Sequence, residues 1–233
     1  MPAAGAADCL SLALANVLVG KPGTDIAFEI TLTKAIFEIE EPCLIGVVGA
    51  AEYIRINGRD HPHHHTLQLN PGDEIQIGPS RPGCRTYLAT STEIGSEGLL
   101  GGRSTYMPAG LGGFQGRALQ DGDLVAFLSR MSGAILDRTT PPALRPHYSD
   151  DHVLRVTPGP EANQPNPGIL RDLCATPYAV GARANRMGMA LDGAPLASSD
   201  SANMPSAAVF PGTIQLPPSG QPYLLGPDAQ TTG

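Results

Sequence analysis

The sequence predicts a mainly β protein, arranged as two strand-rich barrels with few short helices. Three observations carry this prediction. The 233 residues include 28 glycines and 23 prolines, about a fifth of the chain against a usual share of roughly 12%. That much turn chemistry disfavours a helical bundle. Past residue 25 the apolar period is two, as strands require, instead of the helical 3.6. Finally, the polar stretch 139–151 carries Pro141, Pro142 and Pro146 between two strand-rich halves and reads as a linker. The expected division is a first subdomain over 1–138, a linker over 139–151 and a second subdomain over 152–233. Strand-dominated halves argue for paired all-β barrels over a parallel α/β sheet.

Taken in order, Asp8 reads as an N-cap, because its short carboxylate can accept from the free N–H groups of a first helical turn. Leu10, Leu14, Val17 and Leu18 follow at helical spacing, and Gly20 supplies a C′ stop. Strands are then expected over 25–31, 34–40, 43–48 and 51–56, the last closed by the Asn57-Gly58 turn. Segments 70–78 and 120–128 each launch an alternating run from a Gly-Asp turn, and 85–90 is a further strand. The second half restarts with a strand over 152–157 and a helix over 167–174 with Pro167 in its first turn. Short strands follow near 187–191, 213–216 and 223–225.

Composition excludes several functions. With 22 acidic and 15 basic residues the net charge is −7, the wrong sign for displacing counterions from a nucleic-acid backbone. Tryptophan is absent and aromatics reach 5%, too few for base-stacking platforms. No run approaches the roughly 18 apolar residues of a membrane span. A basic segment preceding an apolar signal is also missing. Cys9, Cys43, Cys84 and Cys174 lack C-x-x-C spacing, so reduced thiols in the cytoplasm are expected, without disulfide staples or zinc.

Two motifs invite stronger readings. The cluster His61-Pro-His63-His64-His65 suggests metal, but neighbouring strand residues point to opposite faces and no carboxylate or cysteine partner is in register. A solvated hairpin loop is the better reading, and no metal is expected. The Gly-rich run over 93–117 lacks the Lys-Ser/Thr and following helix of a phosphate loop. Its glycines read as backbone bends. A more promising set lies near the C-terminus. If the last segment is extended, Asp228, Gln230 and Thr232 project from one face. With Gln215 and Gln221 they could surround a small amide: side-chain amides donate to its carbonyl, and a carboxylate accepts from its N–H. Arg103 or Arg186 could hold a carboxylate bidentately.

Several stretches resemble the biotin-dependent carboxyltransferase-like family: Ala15-Asn16-Val-Leu-Val-Gly20, Phe28-Glu29-Ile-Thr31, Arg85-Thr-Tyr-Leu-Ala89, Gly102-Arg103-Ser104-Thr105 and Gly112-Gly113-Phe-Gln-Gly116-Arg117. Later come Arg155-Val-Thr-Pro-Gly-Pro-Glu161, Asn185-Arg186-Met187-Gly188, Pro211-Gly-Thr-Ile-Gln215 and Asp228-Ala-Gln-Thr-Thr-Gly233. They run in the family order along nearly the whole chain. The family includes the C subunit of bacterial 5-oxoprolinase, the allophanate hydrolase subunit 2 proteins, the carboxyltransferase region of urea carboxylase, and an antagonist of a sporulation-kinase inhibitor.

The resemblance implies two cyclophilin-like β-barrel subdomains, with terminal strands that relatives possess missing from both ends of this chain. It implies a subunit of a multi-subunit 5-oxoprolinase, opening the 5-oxoproline lactam to glutamate at the expense of ATP bound elsewhere in the complex. The implied partners are a homologous B-like subunit and a third, A-like subunit. The alternatives are carboxyl transfer from biotin to urea, or a non-catalytic subunit that binds and antagonises its homologous partner. In the first reading Asp228 is the catalytic residue, orienting or deprotonating the amide N–H or a water. Gln215, Gln221, Gln230 and Thr231 hold the amide, and Arg103 holds the substrate carboxylate. The stretch 89–95 departs from the family's usual Gly-Gly-Ile-Asp type, and Gly101-Gly102 replaces a Gly-Ser pair.

Overall fold

In the computed structural model, residues 4–129, 137–160, 168–196 and 207–230 are described. The chain forms two compact units, one of Asp8–His152 and one of Met1–Ala7 with Val153–Gly233.

The first unit begins with helix α1 (Cys9–Leu18), capped by Asp8, whose Oδ1 accepts from the Ser11 N–H at 3.0 Å. Eight strands follow: β1 (Phe28–Thr31), β2 (Ala35–Glu38), β3 (Cys43–Gly49), β4 (Ile54–Ile56), β5 (Arg59–His61), β6 (Thr66–Leu69), β7 (Glu74–Ile77) and β8 (Arg85–Thr90). They build two antiparallel sheets, ordered β1-β8-β3-β6 and β2-β7-β4-β5. Asn57 and Gly58, at φ 50° and 76°, make the β4–β5 turn, the positive-φ pair that a two-residue hairpin needs.

Strand β3 is buried along its entire length, and the side-chain period explains how. Cys43, Ile45 and Val47 enter a core shared with Leu69 and Leu88 of the same sheet and Ile54, Ile56, Ile75 and Ile77 of the other. The alternate residues meet α1. At Gly46 a Cβ would stand 2.5 Å from the Ala15 carbonyl oxygen and 2.8 Å from the Leu18 Cβ, so only glycine lets the helix settle on the strand. Burial pushes the Cys43 thiol up to about 11, so it packs as an inert apolar group.

The sequence expectations hold for α1 and for the cores of β1–β4, β7 and β8, and they miss β5 and β6. Three other readings are corrected. Residues 120–128 form no strand. Asp123 accepts from both Arg117 Nη atoms, at 2.6 and 2.7 Å, and from the Gln120 N–H at 2.7 Å, which curls the backbone, and only Phe127 bridges, to Ile94. The stretch 139–151, read as a linker, is tied into the first unit. Thr139 bridges His65, the Thr140 N–H donates to the His64 carbonyl at 2.9 Å, and the Tyr148 hydroxyl lies 2.8 Å from Ser11 Oγ. The histidine loop is not simply solvated either, since His64 is only 9% exposed, at φ 63°.

The second unit is a four-stranded antiparallel sheet of β9 (Ala179–Val180), β10 (Gly188–Asp192), β11 (Ile214–Gln215) and β12 (Tyr223–Leu225), ordered β11-β12-β10-β9. A short helix, α2 (Ile169–Ala175), precedes it. The expected helix start, Pro167, lies outside the described residues. Residues 152–157 form no strand. Val153 is 97% exposed and no described strand supplies a ladder, so alternation alone does not make an element here. The fold is thus mainly β with two helices among the described residues, and its three sheets are open there: no first strand bonds to a last one, as barrel closure requires. Among the described residues, no helix is long and apolar enough to cross a membrane.

Candidate amide-binding site

The second unit holds a cavity of about 420 Å³ over its sheet, lined by Arg183, Asn185, Ala190, Pro217, Ser219, Gln221 and Tyr223. Its floor follows from strand register. Ala190 of β10 and Gln215 of β11 are both Cα partners of Tyr223 on β12, so the three share one face of the sheet. Gly188, two residues before Ala190, lacks the Cβ that would stand 2.4 Å from Tyr223 Cε1. The ring therefore leans over the strand, and the small Ala190 beside it leaves the hollow open.

The polar rim is fixed by local bonds. Asn185 opens a tight turn: its N–H donates to the Gly188 carbonyl at 3.0 Å and its Oδ1 accepts from the Met187 N–H at 2.8 Å. Its side-chain NH₂ then remains as the donor. Gln221 donates from Nε2 to the Leu191 carbonyl, which anchors the amide and leaves Oε1 as its acceptor. Ser219 Oγ accepts from the Gln221 N–H at 3.4 Å. A site offering one amide carbonyl, one NH₂, one hydroxyl and one guanidinium beside an aromatic wall suits a small planar polar molecule.

Of the residues expected at the site, Gln221 lines this cavity, and Gln215 lies on the same sheet face, opposite Tyr223. Asp228 does not join them. Residues 227–228 turn instead of extending, with the Ala229 N–H donating to the Gly226 carbonyl at 3.2 Å. Asp228 is consequently buried, 1% exposed, while Gln230 is exposed, so the two do not share a face. Both Asp228 oxygens accept from Arg186, at 3.0 Å from Nε and 3.1 Å from Nη2. The same guanidinium donates to the Ala4 and Gly5 carbonyls at 3.2 and 2.9 Å, which fastens the N-terminal residues into this unit. A carboxylate held in this way is a structural anchor, and Arg186 is not open to a substrate. Thr231 and Thr232 lie outside the described residues.

Arg103 belongs to the first unit, and its donors serve its own loop. Nε donates to Ser96 Oγ at 3.0 Å, Nη2 to the Ile94 carbonyl at 2.7 Å, and Nη1 lies 3.3 Å from Glu93 Oε1. Sequence reasoning missed Arg183, Asn185, Ser219 and Tyr223 as polar or aromatic lining groups. The one available signal was the i, i+2 spacing of Arg183 and Asn185 ahead of the Asn-Arg-Met-Gly turn. Among the described residues no cluster of His, Cys, Asp and Glu could hold a metal ion.

Residues 1–233 match the family described as carboxyltransferase domain, subdomain A and B, and the protein belongs to that family. It is 30% identical over 229 residues to the C subunit of the 5-oxoprolinase of Escherichia coli (strain K12), a match covering 98% of this chain and 72% of that protein. It is 33% identical over 207 residues to urea amidolyase of Lachancea kluyveri, covering 83% of this chain and 11% of that protein. In three dimensions the crystal structure of the K. lactis urea amidolyase has the same fold, with a TM-score of 0.88 at 24% identity over 99% of this chain and 15% of that one. These relatives are parts of enzymes, and the first is by name one subunit of a multi-subunit assembly.

Proposed function

We propose that the protein is a subunit of an ATP-dependent 5-oxoprolinase that opens the 5-oxoproline lactam to glutamate in the cytoplasm. The single observation behind this reading is the match to the 5-oxoprolinase C subunit, which runs along 98% of this chain and 72% of the relative. The cavity agrees with it chemically. A lactam presents a carbonyl that accepts and an N–H that donates, and the Asn185 NH₂ and Gln221 Oε1 supply the complements. Opening the ring adds the oxygen of a water to the carbonyl carbon as the C–N bond breaks, with a proton of that water passing to the leaving nitrogen, so the carbonyl must be polarised. A side-chain NH₂ aimed at the carbonyl oxygen before reaction polarises it. ATP, bound by another subunit, supplies the driving force, and a B-like and an A-like subunit complete the complex.

A second reading, the carboxyltransferase component of a biotin-dependent urea carboxylase, is favoured by the 33% identity to urea amidolyase. Urea is also a small planar amide that the same donors and acceptor fit. One assay separates the two. The chain is co-purified with its B-like and A-like partners and given 5-oxoproline and ATP, or urea, ATP, bicarbonate and a biotin-carrying carboxylase. Glutamate release that needs both 5-oxoproline and ATP is the expected result. Urea-dependent ATP turnover without glutamate release moves the protein to the second reading. A stable complex inactive in both assays makes it the antagonist-like binding subunit.

A further inference from the structure

We propose that Arg183 is the carboxylate anchor of the second unit's cavity, so that this cavity selects a small amide bearing a carboxylate over a plain amide. The inference rests on the 5-oxoproline reading for the identity of the ligand, but the site itself stands on geometry. Arg183 lines the cavity, exposed, and it alone among the lining residues carries a charge. It also differs from two other arginines that by residue type could hold a carboxylate. Arg186 is occupied by Asp228 and by two backbone carbonyls, and Arg103 by Ser96, Glu93 and Ile94. Arg183 forms no ion pair or hydrogen bond among the described residues, so its planar fork is available for a bidentate contact.

The remaining rim groups divide the ligand. The Asn185 NH₂ faces a carbonyl, the Gln221 Oε1 an N–H, and the Tyr223 ring a flat apolar edge. Arg183 and Asn185 lie two residues apart, whereas Gln221 precedes β12 and its amide is fixed on the Leu191 carbonyl, next to Ala190. A ligand that spans them carries its carboxylate and its amide a few bonds apart, as a five-membered lactam acid does. The volume of about 420 Å³ accepts such a molecule with room to spare.

The test titrates the purified full chain with 5-oxo-L-proline and with 2-pyrrolidinone, the same ring without its carboxylate. Wild-type protein is expected to bind 5-oxoproline at least tenfold more tightly than pyrrolidinone. Arg183→Gln should erase that preference while leaving the melting temperature unchanged, because the side chain supports nothing else among the described residues. A second variant, Ala190→Leu, fills the cavity floor and should abolish binding of both. Equal binding of the two ligands by wild type, no binding of either, or an undiminished preference in Arg183→Gln overturns the proposal. Turnover by the assembled complex keeps the two readings apart. Glutamate release whose KM is unmoved by Arg183→Gln sinks the anchor and spares the function. Loss of the binding preference in the variant, with no glutamate release by wild type, sinks the function and spares the anchor.

Discussion

The two units solve the same folding problem by different means. In Asp8–His152, twelve buried apolar residues, ten of them on the strands of two sheets, form one core, with α1 packed against β3. Each fully buried Ile, Leu or Val there contributes about 1.5–3 kcal/mol. The unit made of Met1–Ala7 and Val153–Gly233 has few such residues. Its buried apolar side chains among the described residues are Ala4, Leu196, Pro222, Leu225 and Ala229, and the buried Asp228 is paired with Arg186. It is held by polar bonds, and it contains the cavity. A unit with little apolar packing can leave a floor of alanine and a rim of free donors, which a unit like the first would fill with side chains.

Three substitutions put this contrast at risk. Asp228→Ala should do the most damage, because it strands the Arg186 guanidinium in a mostly buried place. A loss of about 3–5 kcal/mol is expected, confined to the second unit, as read by hydrogen exchange of β10 and β12. If turnover vanished while exchange and melting stayed as in wild type, Asp228 would be the catalytic residue after all. Ile75→Ala, at a position with no exposure, should cost the first unit about 2–5 kcal/mol in denaturant unfolding and leave the cavity's ligand affinity unchanged. A milder change is expected at His64. Burial, then the charges of Arg145 and the flanking histidines, lowers its pKa to about 4. The unfolded chain takes up that proton first, near pH 6.5, so the group's contribution to stability is present above that pH and falls between about 6.5 and 4. His64→Asn, which tolerates φ 63°, should flatten this fall by about 2 kcal/mol in acid unfolding curves.

Legibility followed the same contrast. Strands β3 and β8 and the capped α1 were readable because their signals are local: a β-branched run, an alternation, and a carboxylate before an apolar stripe. Residues 152–157 show the same alternation and form no strand, because a ladder needs a partner that no local pattern announces. At the candidate site, residue type and spacing point to Gln221, which lines the cavity, and to Gln215, which shares its sheet face. The chemistry of Asp228 is legible in the sequence, but its burial against Arg186, 42 residues away, is not. Arg183 was passed over because an exposed arginine has no signature of its own. It stands out only once Arg103 and Arg186 are seen to be occupied.

Residue order was enough to establish the β class, the turns and the family, since periodicity, glycine at positive φ and ordered motifs are properties of neighbouring residues. Which polar groups are satisfied and which remain open to a ligand was settled by the folded contacts alone. Hydrogen bonding is a competition among groups brought together from distant parts of the chain, and its outcome depends on geometry that residue order does not state.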